Sequence, residues 1–274
     1  MKNIILILIS LLFLTGVSEG KEVTYLQDRN GIKYEVNTDV GFTGKYVESY
    51  QNGQKRYERN YKNGKREGLL THWGYGSGQK EVEENYKDGK LDGLVTRWSP
   101  TGPKDWEGTF KDGELDGLMT SWFSDGSKSS EKNFKGGKKE GLVTRWSKTG
   151  QKKYEGNFKN GNLEGSLTEW YENGHGQKME EGNYKNGKEE GLLTRWFENG
   201  QKEWEINYKN GKKNGSLILW YENGQKKSEA HFKNGKKEGL ETTWYENGQK
   251  EYERNFKGGK IVKWNYLKEL RNEN

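Results

Sequence analysis

The chain has 274 residues, with 47 basic against 41 acidic side chains and a formal net charge of +6. Hydrophobic residues make up only 29% and charged residues 32%, a composition that argues against a large globular core. Aromatic residues nevertheless reach 13%, including 11 tryptophans, whereas disordered chains are poor in aromatics. We therefore expect a folded protein whose buried area is concentrated in a few large rings.

The first twenty residues resemble a leader. Lys2 precedes the apolar stretch 4–14, and small residues follow it as far as Gly20. This order predicts a signal peptide over residues 1–20, with cleavage after Ser18 or Gly20. The apolar stretch is shorter than the roughly 20 residues that cross a bilayer, so an uncleaved anchor is the less favoured alternative. We expect the mature chain to be exported to the periplasm, the cell surface or the medium.

The remainder divides into a cap, a repeat region and a second cap. Residues 21–45 do not follow the later pattern and are predicted to form an N-terminal cap. Tandem repeats are predicted over residues 46–260, and a C-terminal cap or tail over residues 261–274. Caps are expected because an exposed end strand pairs readily with other molecules. The chain has no cysteine, which excludes a disulfide framework and a lipid-modified cysteine.

Tryptophan and glycine define the repeat. A glycine stands five residues before each recurring tryptophan, and the period is about 24 residues. The tryptophans are Trp73, Trp98, Trp122, Trp146, Trp170, Trp196, Trp220 and Trp244. The glycines are Gly68, Gly93, Gly117, Gly141, Gly165, Gly191, Gly215 and Gly239. A fixed period of this length is typical of a repeat array, and it indicates about nine units.

Each unit contains two turn signals and two short alternating segments, which predicts strand, turn, strand, turn. Asn199-Gly200 and Asn210-Gly211 are examples of the two turns, since both residue types accept positive φ. The sequence therefore predicts an all-β, elongated antiparallel β-hairpin array, either a twisted single sheet or a β-solenoid-like roll. Both turns of each unit are predicted to be longer loops with a left-handed glycine.

The strand register can also be predicted. Pairing Trp196 with Trp204 and Thr194 with Ile206 would collect the apolar side chains of both strands on one face, which burial should favour. This register gives one aromatic face and one charged face. We expect the recurring tryptophans to form the core, with an open aromatic trough as the alternative.

The repeats resemble those of a known family. Tyr221 to Lys226, Phe232 to Lys236 and Gly239 to Trp244 spell Tyr-Glu-Asn-Gly-Gln-Lys, Phe-Lys-Asn-Gly-Lys and Gly-Leu-x-x-x-Trp. This unit resembles the MORN-like repeat, in the bacterial variant found in proteins labelled YwqK-type antitoxins. The resemblance covers about residues 42 to 260. It implies an extended hairpin array used for protein–protein or membrane-associated interaction.

No catalytic constellation is visible. The three histidines, His72, His175 and His231, fall in different repeats without the spacing of metal ligands or of a general base. Glycine-rich stretches lack the Gly-Lys-Ser/Thr of a phosphate loop. Acidic residues recur with the repeat and so mark a solvated face. We expect no enzymatic activity, no metal ion, no cofactor and no small-molecule substrate.

The candidate interaction surface lies opposite the tryptophans. By strand parity it contains four aromatic residues that each follow a tryptophan and three arginines that each precede one: Tyr171, Phe197, Tyr221, Tyr245, Arg97, Arg145 and Arg195. Exposed aromatics and arginines are enriched in interface hot spots. They indicate a scaffold that binds a protein partner or another surface ligand.

Three alternatives remain open at this point. A glycan- or cell-wall-binding module would need exposed rings at each repeat junction. An antitoxin or immunity protein would need a cytoplasmic location, which the leader opposes. Association with a membrane surface is compatible with the small basic surplus. Nucleic acid is not expected, because the chain is predicted to be exported and its charges are balanced.

Overall fold

The computed structural model of the chain describes residues 21–173 and 175–266, with the side chains of the last two strand residues excepted. The predicted signal peptide therefore lies outside the described residues, as does most of the predicted C-terminal cap. Within the described part no helix is long and apolar enough to cross a membrane.

The described residues form an all-β fold. One sheet contains 22 strands, and a separate hairpin contains two. The strands are β1 (Glu22–Val23), β2 (Gln27–Arg29), β3 (Ile32–Tyr34), β4 (Gly44–Ser49), β5 (Lys55–Lys62), β6 (Lys65–Trp73), β7 (Lys80–Lys87), β8 (Lys90–Trp98), β9 (Lys104–Lys111), β10 (Glu114–Trp122), β11 (Lys128–Lys135), β12 (Lys138–Trp146), β13 (Lys152–Lys159), β14 (Asn162–Trp170), β15 (Lys178–Lys185), β16 (Lys188–Glu189), β17 (Gly191–Trp196), β18 (Lys202–Lys209), β19 (Lys212–Trp220), β20 (Lys226–Lys233), β21 (Lys236–Lys237), β22 (Gly239–Trp244), β23 (Lys250–Lys257) and β24 (Lys260–Tyr266).

The strands follow one another across the sheet in chain order. From β4 to β24 every pairing is antiparallel, whereas β1 pairs with β4 in parallel. Strands β16 and β17 lie end to end beside β15, and β21 and β22 lie end to end beside β20. The described sheet does not close, because its outermost strands β1 and β24 do not pair with each other. The predicted elongated array of about nine hairpin units is confirmed.

The turn after each lysine-ending strand is a minimal two-residue turn. Lys209 pairs directly with Lys212, so only Asn210 and Gly211 lie between them. Both turn residues have positive φ, at 51° and 74°, as a type I′ hairpin requires. The predicted longer loop is therefore wrong at this turn, because the Asn-Gly pair satisfies the tighter geometry without an extra residue.

The turn after each tryptophan is longer, as predicted. The N–H of Gly200 donates to the carbonyl of Phe197 at 3.0 Å, and the N–H of Phe197 donates to the carbonyl of Gln201 at 2.8 Å. Gly200 has a φ of 85°, whereas Asn199 does not adopt positive φ. A left-handed glycine thus closes a loop of five residues between Trp196 and Lys202.

The predicted register is wrong by one residue. Arg195 lies opposite Trp204, and after a bulge Trp196 lies opposite Lys202. Because one residue of slip moves a side chain to the other side of the sheet, Trp196 and Trp204 face opposite ways. We call the side that carries Thr194, Trp196 and their equivalents the tryptophan face. The side that carries Leu193, Arg195, Trp204 and their equivalents is the arginine face.

Both faces contain buried side chains, so neither is a purely charged surface. On the arginine face the buried residues include Leu70, Val95, Val143, Leu167, Leu193, Ile206 and Ala230. On the tryptophan face a line of threonines is buried, at Thr71, Thr96, Thr120, Thr144, Thr194 and Thr242. The prediction placed both apolar sets on one face, whereas the described sheet divides them between its two faces.

The recurring tryptophans are half-buried, and none is among the fully buried side chains. The predicted tryptophan core is therefore wrong, since no second layer covers the outer side of each ring. Lysine ammonium groups cover some of them instead. Nζ lies 5.8 Å from the ring centre in the pair Lys55–Trp73, and the distances for Lys104–Trp122 and Lys202–Trp220 are 5.5 and 5.6 Å.

Successive units are joined at the two-residue turns. The N–H of Gly211 donates to the carbonyl of Glu189 in the preceding unit at 2.9 Å. The N–H of Asn210 donates to the carboxylate of Glu190 at 2.7 Å. Equivalent bonds to a side-chain oxygen of the preceding unit are made by the main-chain N–H groups of Asn63, Asp88, Asp112, Gly136, Asn160, Asn186, Asn234 and Gly258. The residue before each recurring glycine is thus a cap for the next turn.

Candidate interaction surface

A single row of side chains crosses the arginine face from β5 to β23. Each member is the direct cross-strand partner of the next, so their side chains are neighbours on one face. We call it the transverse row. Its members in order are Tyr57, His72, Val82, Arg97, Trp106, Ser121, Ser130, Arg145, Tyr154, Glu169, Glu180, Arg195, Trp204, Leu219, Ser228, Thr243 and Tyr252.

Large aromatic side chains recur in this row at every second unit. They are Tyr57, Trp106, Tyr154, Trp204 and Tyr252, whereas the alternate units contribute Val82, Ser130, Glu180 and Ser228. Two aromatics of this series are four strands apart. At about 4.8 Å per strand this separation is roughly 19 Å. The row therefore has a period of two repeats.

Every aromatic of the transverse row has an arginine beside it. The guanidinium carbon of Arg97 lies 5.3 Å from the ring centre of Trp106, and that of Arg145 lies 4.8 Å from Tyr154. Arg195 is the cross-strand partner of Trp204. At the two ends, Arg59 lies 4.0 Å from the ring of Tyr57, and Arg254 lies 4.7 Å from the ring of Tyr252. Cation–π contact of this kind orients the guanidinium and still leaves N–H donors available.

The three predicted arginines differ in their ionic partners. Arg195 contacts Glu180 at 3.5 Å and Glu203 at 3.0 Å. Arg97 lies 3.8 Å from Glu84, and half of its side chain is exposed. Arg145 is exposed and makes no ion pair within the described part of the chain. It is therefore the arginine most available to an external carboxylate.

An acidic pair lies between two of the arginine–aromatic pairs. Glu169 and Glu180 are direct cross-strand partners between Tyr154 and Arg195. Burial raises the pKa of the Glu180 carboxyl, the charge of Glu169 raises it further, and Arg195 opposes both. The centre of the row thus presents a positive, a negative and again a positive group in sequence.

Tyr171 lies close to two of the predicted arginines. With Arg145, Tyr154 and Glu169 it lines a depression of about 270 Å³. Its hydroxyl donates to the carbonyl of Trp196 at 2.7 Å. Burial raises the pKa of Tyr171, and the nearby Arg195 opposes this shift.

The other three predicted aromatics lie at equivalent places in later units. Phe197 and Tyr221 are half-buried, and Tyr245 is 39% exposed. The hydroxyl of Tyr221 donates to the carbonyl of Trp244 at 2.9 Å, and Lys227 lies 5.3 Å from its ring centre. Tyr221, like Tyr171, therefore connects successive units. Tyr245 is the most exposed of the four aromatics. Arg97 lies several strands away from this group.

The sequence-based prediction missed the aromatic half of the transverse row. The predicted register places Trp204 on the same face as Trp196, and the predicted surface does not include Trp106 or Tyr154. The available signal was an aromatic residue in the third position of alternate lysine-initiated strands, as in Lys104-Asp105-Trp106. The stronger 24-residue tryptophan period masked this weaker period of about 49 residues.

The histidines do not form a metal or catalytic cluster. His72 stacks on Tyr57 with ring centres 4.3 Å apart, and its Nδ1 lies 3.4 Å from Glu81. Burial lowers the pKa of His72, and the charge of Glu81 opposes this shift. His175 and His231 are exposed in other units. Over residues 21–173 and 175–266, no group of three or more His, Cys, Asp and Glu side chains could hold a metal ion.

Comparison with known proteins identifies the repeat. The family described as MORN repeat variant matches residues 42–63, 139–160, 189–210, 213–234 and 237–257. No curated protein is significantly similar in sequence. One solved structure that aligns with the chain is titled "Crystal Structure of TcdB2-TccC3"; the identity is 13% and the TM-score 0.17, with 86% of this chain and 17% of that chain covered. An overlap this weak supports no conclusion about fold or function. The five matched segments and the hairpin array together identify this chain as a MORN-like repeat protein, built as a repeat scaffold.

Proposed function

We propose that this chain is an exported, non-enzymatic scaffold that binds an extended protein partner along the transverse row. The observation that carries the proposal is the recurrence of arginine–aromatic pairs at every second unit. Arginine, tyrosine and tryptophan are the residue types most enriched among interface hot spots. Their placement on one continuous row, instead of in one pocket, fits an extended partner better than a compact small molecule.

The charge order of the row supports a protein partner. Arg145, the pair Glu169 and Glu180, and Arg195 present both signs within five neighbouring strands. A partner that carries acidic and basic side chains at matching intervals would pair with both signs of charge, whereas a uniformly charged polymer would be repelled by the groups of its own sign. Once some of the weak contacts have formed, the effective concentration of the partner at the remaining contacts is higher. Strong binding therefore needs no single dominant residue.

The tryptophan face gives less support to the glycan-binding alternative. Sugar stacking requires an open ring face, but Lys55, Lys104 and Lys202 lie over Trp73, Trp122 and Trp220. An antitoxin role remains the alternative if the leader is not removed. Export itself rests on the sequence of residues 1–20.

Binding is tested by capture from surface extracts of the native host. Replacing Arg97, Arg145 and Arg195 with Gln should weaken capture of a specific protein by about tenfold or more, because multivalent contacts are lost together. The matched control replaces Lys104, Lys152 and Lys202 with Gln, which removes the same charge from the opposite face. Equal capture by both variants would overturn the proposal, and preferential binding to purified wall polysaccharide would favour the glycan alternative.

Export is tested by sequencing the N-terminus of protein purified from the native host. The mature chain should begin near Glu19 or Lys21. An intact Met1 on protein from the soluble cytoplasmic fraction would exclude export and favour the antitoxin alternative.

A further inference from the structure

The two-residue turns carry a repeated pair of lysines. The residues that flank each turn are direct cross-strand partners, and in seven of nine hairpins both are lysine. These pairs are Lys62–Lys65, Lys87–Lys90, Lys135–Lys138, Lys185–Lys188, Lys209–Lys212, Lys233–Lys236 and Lys257–Lys260. The other two hairpins pair Lys111 with Glu114 and Lys159 with Asn162. We call these lysines, with Lys111 and Lys159, the turn lysines.

The turn lysines carry an unfavourable arrangement of charge. Like charges placed directly opposite one another destabilise a sheet. All sixteen side chains are exposed, and none makes an ion pair, a hydrogen bond or a ring contact within residues 21–173 and 175–266. An energetic cost repeated seven times without local compensation indicates a partner outside the chain.

A second series of lysines shows that the chain can pair such charges. At the other end of the lysine-initiated strands, Lys152 contacts Glu155 and Lys178 contacts Glu181, three residues later. The same contact occurs in all nine such strands, at Lys55, Lys80, Lys104, Lys128, Lys152, Lys178, Lys202, Lys226 and Lys250. Over the described residues, charge pairing is therefore regular in one series of lysines and missing throughout the other.

The capping residues bring some negative charge to the same edge. Seven of the turns are capped by a carboxylate of the preceding unit. The capping carboxylates are half-buried and accept main-chain N–H groups, whereas the lysines project into solvent.

We propose that the turn lysines form a binding track for a linear polymer that carries phosphate groups but no bases. Consecutive hairpins are two strands apart, so lysine pairs recur about every 10 Å along the edge. Strands twist by about 20–25° relative to their neighbours, so nine hairpins carry this edge around much of a helical turn. A flexible linear polyanion can follow such a path, whereas a flat surface meets only a few hairpins at once.

The residues beside the turn lysines favour this partner over a membrane or a nucleic acid. Exposed leucines lie next to them on the tryptophan face, but each alternates with a polar residue, as Leu192 does with Asn207. They therefore do not form the continuous apolar patch that would enter a bilayer. The nearest rings, such as Tyr208 and Phe232, lie on the arginine face, where they could not stack on bases held by the lysines.

The test measures binding of the full chain to long-chain inorganic polyphosphate. Wild type should bind it much more tightly than tripolyphosphate, and the affinity should fall at least about tenfold between 50 and 200 mM salt. Replacing Lys185, Lys188, Lys209, Lys212, Lys233 and Lys236 with Gln should weaken binding by at least about tenfold. Circular dichroism should show that this variant remains folded, since these side chains have no contacts to lose.

The matched control removes six lysines from the ion-paired series, at Lys128, Lys152, Lys178, Lys202, Lys226 and Lys250. It has the same net charge as the turn variant and should bind polyphosphate at least about threefold more tightly than that variant, because the track is intact. Equal loss in the two variants would overturn the proposal in favour of bulk charge. Binding to phosphatidylglycerol vesicles but not to polyphosphate, preference for single-stranded DNA, or no binding at all would overturn it too. None of these outcomes bears on partner capture by the transverse row, which lies on the other face.

Discussion

The hydroxyl of Tyr171 donates a hydrogen bond of 2.7 Å to the main-chain carbonyl of Trp196, one repeat further along the chain. Tyr50 makes the same bond to Trp73 at 2.7 Å, and Tyr221 makes it to Trp244 at 2.9 Å. These bonds join units at the long loops, while the capped turns join them at the opposite edge. Each of these units is therefore fastened to the next at both ends of its strands, and stability should depend mainly on nearest neighbours.

The first prediction concerns this bond. Tyr171→Phe should lower the free energy of unfolding by about 1 kcal/mol, because the Trp196 carbonyl loses its donor while the ring remains. Chemical denaturation followed by tryptophan fluorescence measures the change. Tyr25→Phe is the matched control, since Tyr25 is 64% exposed and should have no effect. An equal loss in both variants would show that the Tyr171 bond contributes nothing specific.

The second prediction tests the register with two identical substitutions at neighbouring positions. Leu193 is 6% exposed on the arginine face, whereas Leu192 is 46% exposed on the tryptophan face. Leu193→Ala should cost about 2–5 kcal/mol, because it leaves a cavity beside Ile206. Leu192→Ala should cost less than about 1 kcal/mol. Under the register predicted from sequence Leu192 would face the core, so the reverse order of the two costs would support that register.

The architecture was predictable from sequence, but the placement of side chains on the two faces was only partly so. The Asn-Gly turns and the period of the glycines were sufficient to predict a hairpin array. The pairing of Trp196 was not predictable, because the bulge between Arg195 and Trp196 arises from the geometry of the following loop. A second irregularity, between Ile206 and Tyr208, changes the pairing again on the next strand.

The candidate surface was predicted in part for the same reason. Strand parity within a single strand placed Arg97, Arg145 and Arg195 opposite the tryptophans, and the structure agrees. Parity does not show which residue of the neighbouring strand lies beside each arginine. Trp106, Tyr154 and Trp204 became visible only with the register, and the hydroxyl bond of Tyr171 needed the position of the next unit.

The third prediction is that one whole unit can be removed. Deleting residues 141–164 joins Glu140 to Gly165 and so restores a Glu-Gly pair at the junction. The shortened chain should fold with lower stability, because contacts between neighbouring units are retained. Circular dichroism tests whether the shortened chain is folded, and a denaturation curve tests whether it unfolds cooperatively and at lower stability. Deleting residues 141–152 is the control: it removes about one strand, so every later strand would have to reverse its direction, and this variant should not fold.

The fourth prediction concerns the caps of the turns. Glu190→Ala should cost about 1 kcal/mol, because the N–H of Asn210 loses its acceptor. Glu190→Asn should cost less, since Asn214 already caps the turn at Asn234 in the next unit, with an N···O distance of 3.3 Å. Denaturation of both variants provides the measurement. If the Asn variant is no more stable than the Ala variant, the bond from Asn210 is not what makes Glu190 stabilising.

The last prediction follows from Tyr184, whose pKa is raised to about 12, first by burial and then by the charges of Glu180 and Glu189. Because the pKa of Tyr184 is higher in the folded state than in the unfolded state, the protonated side chain contributes to the free energy of unfolding. This contribution is fully present below pH 10 and is lost as the pH rises from 10 through 12. Because the ring is partly exposed, we expect about 1–2 kcal/mol after allowance for solvent screening. Wild type should therefore lose more stability than Tyr184→Phe between pH 9.5 and 12, although deprotonation of lysines affects both alike. Glu189→Gln provides an independent check, since removing that charge should lower the pKa of Tyr184 in a tyrosinate absorbance titration. An unchanged titration in Glu189→Gln, or equal losses of stability in wild type and Tyr184→Phe, would show that Tyr184 is not held protonated by these surroundings.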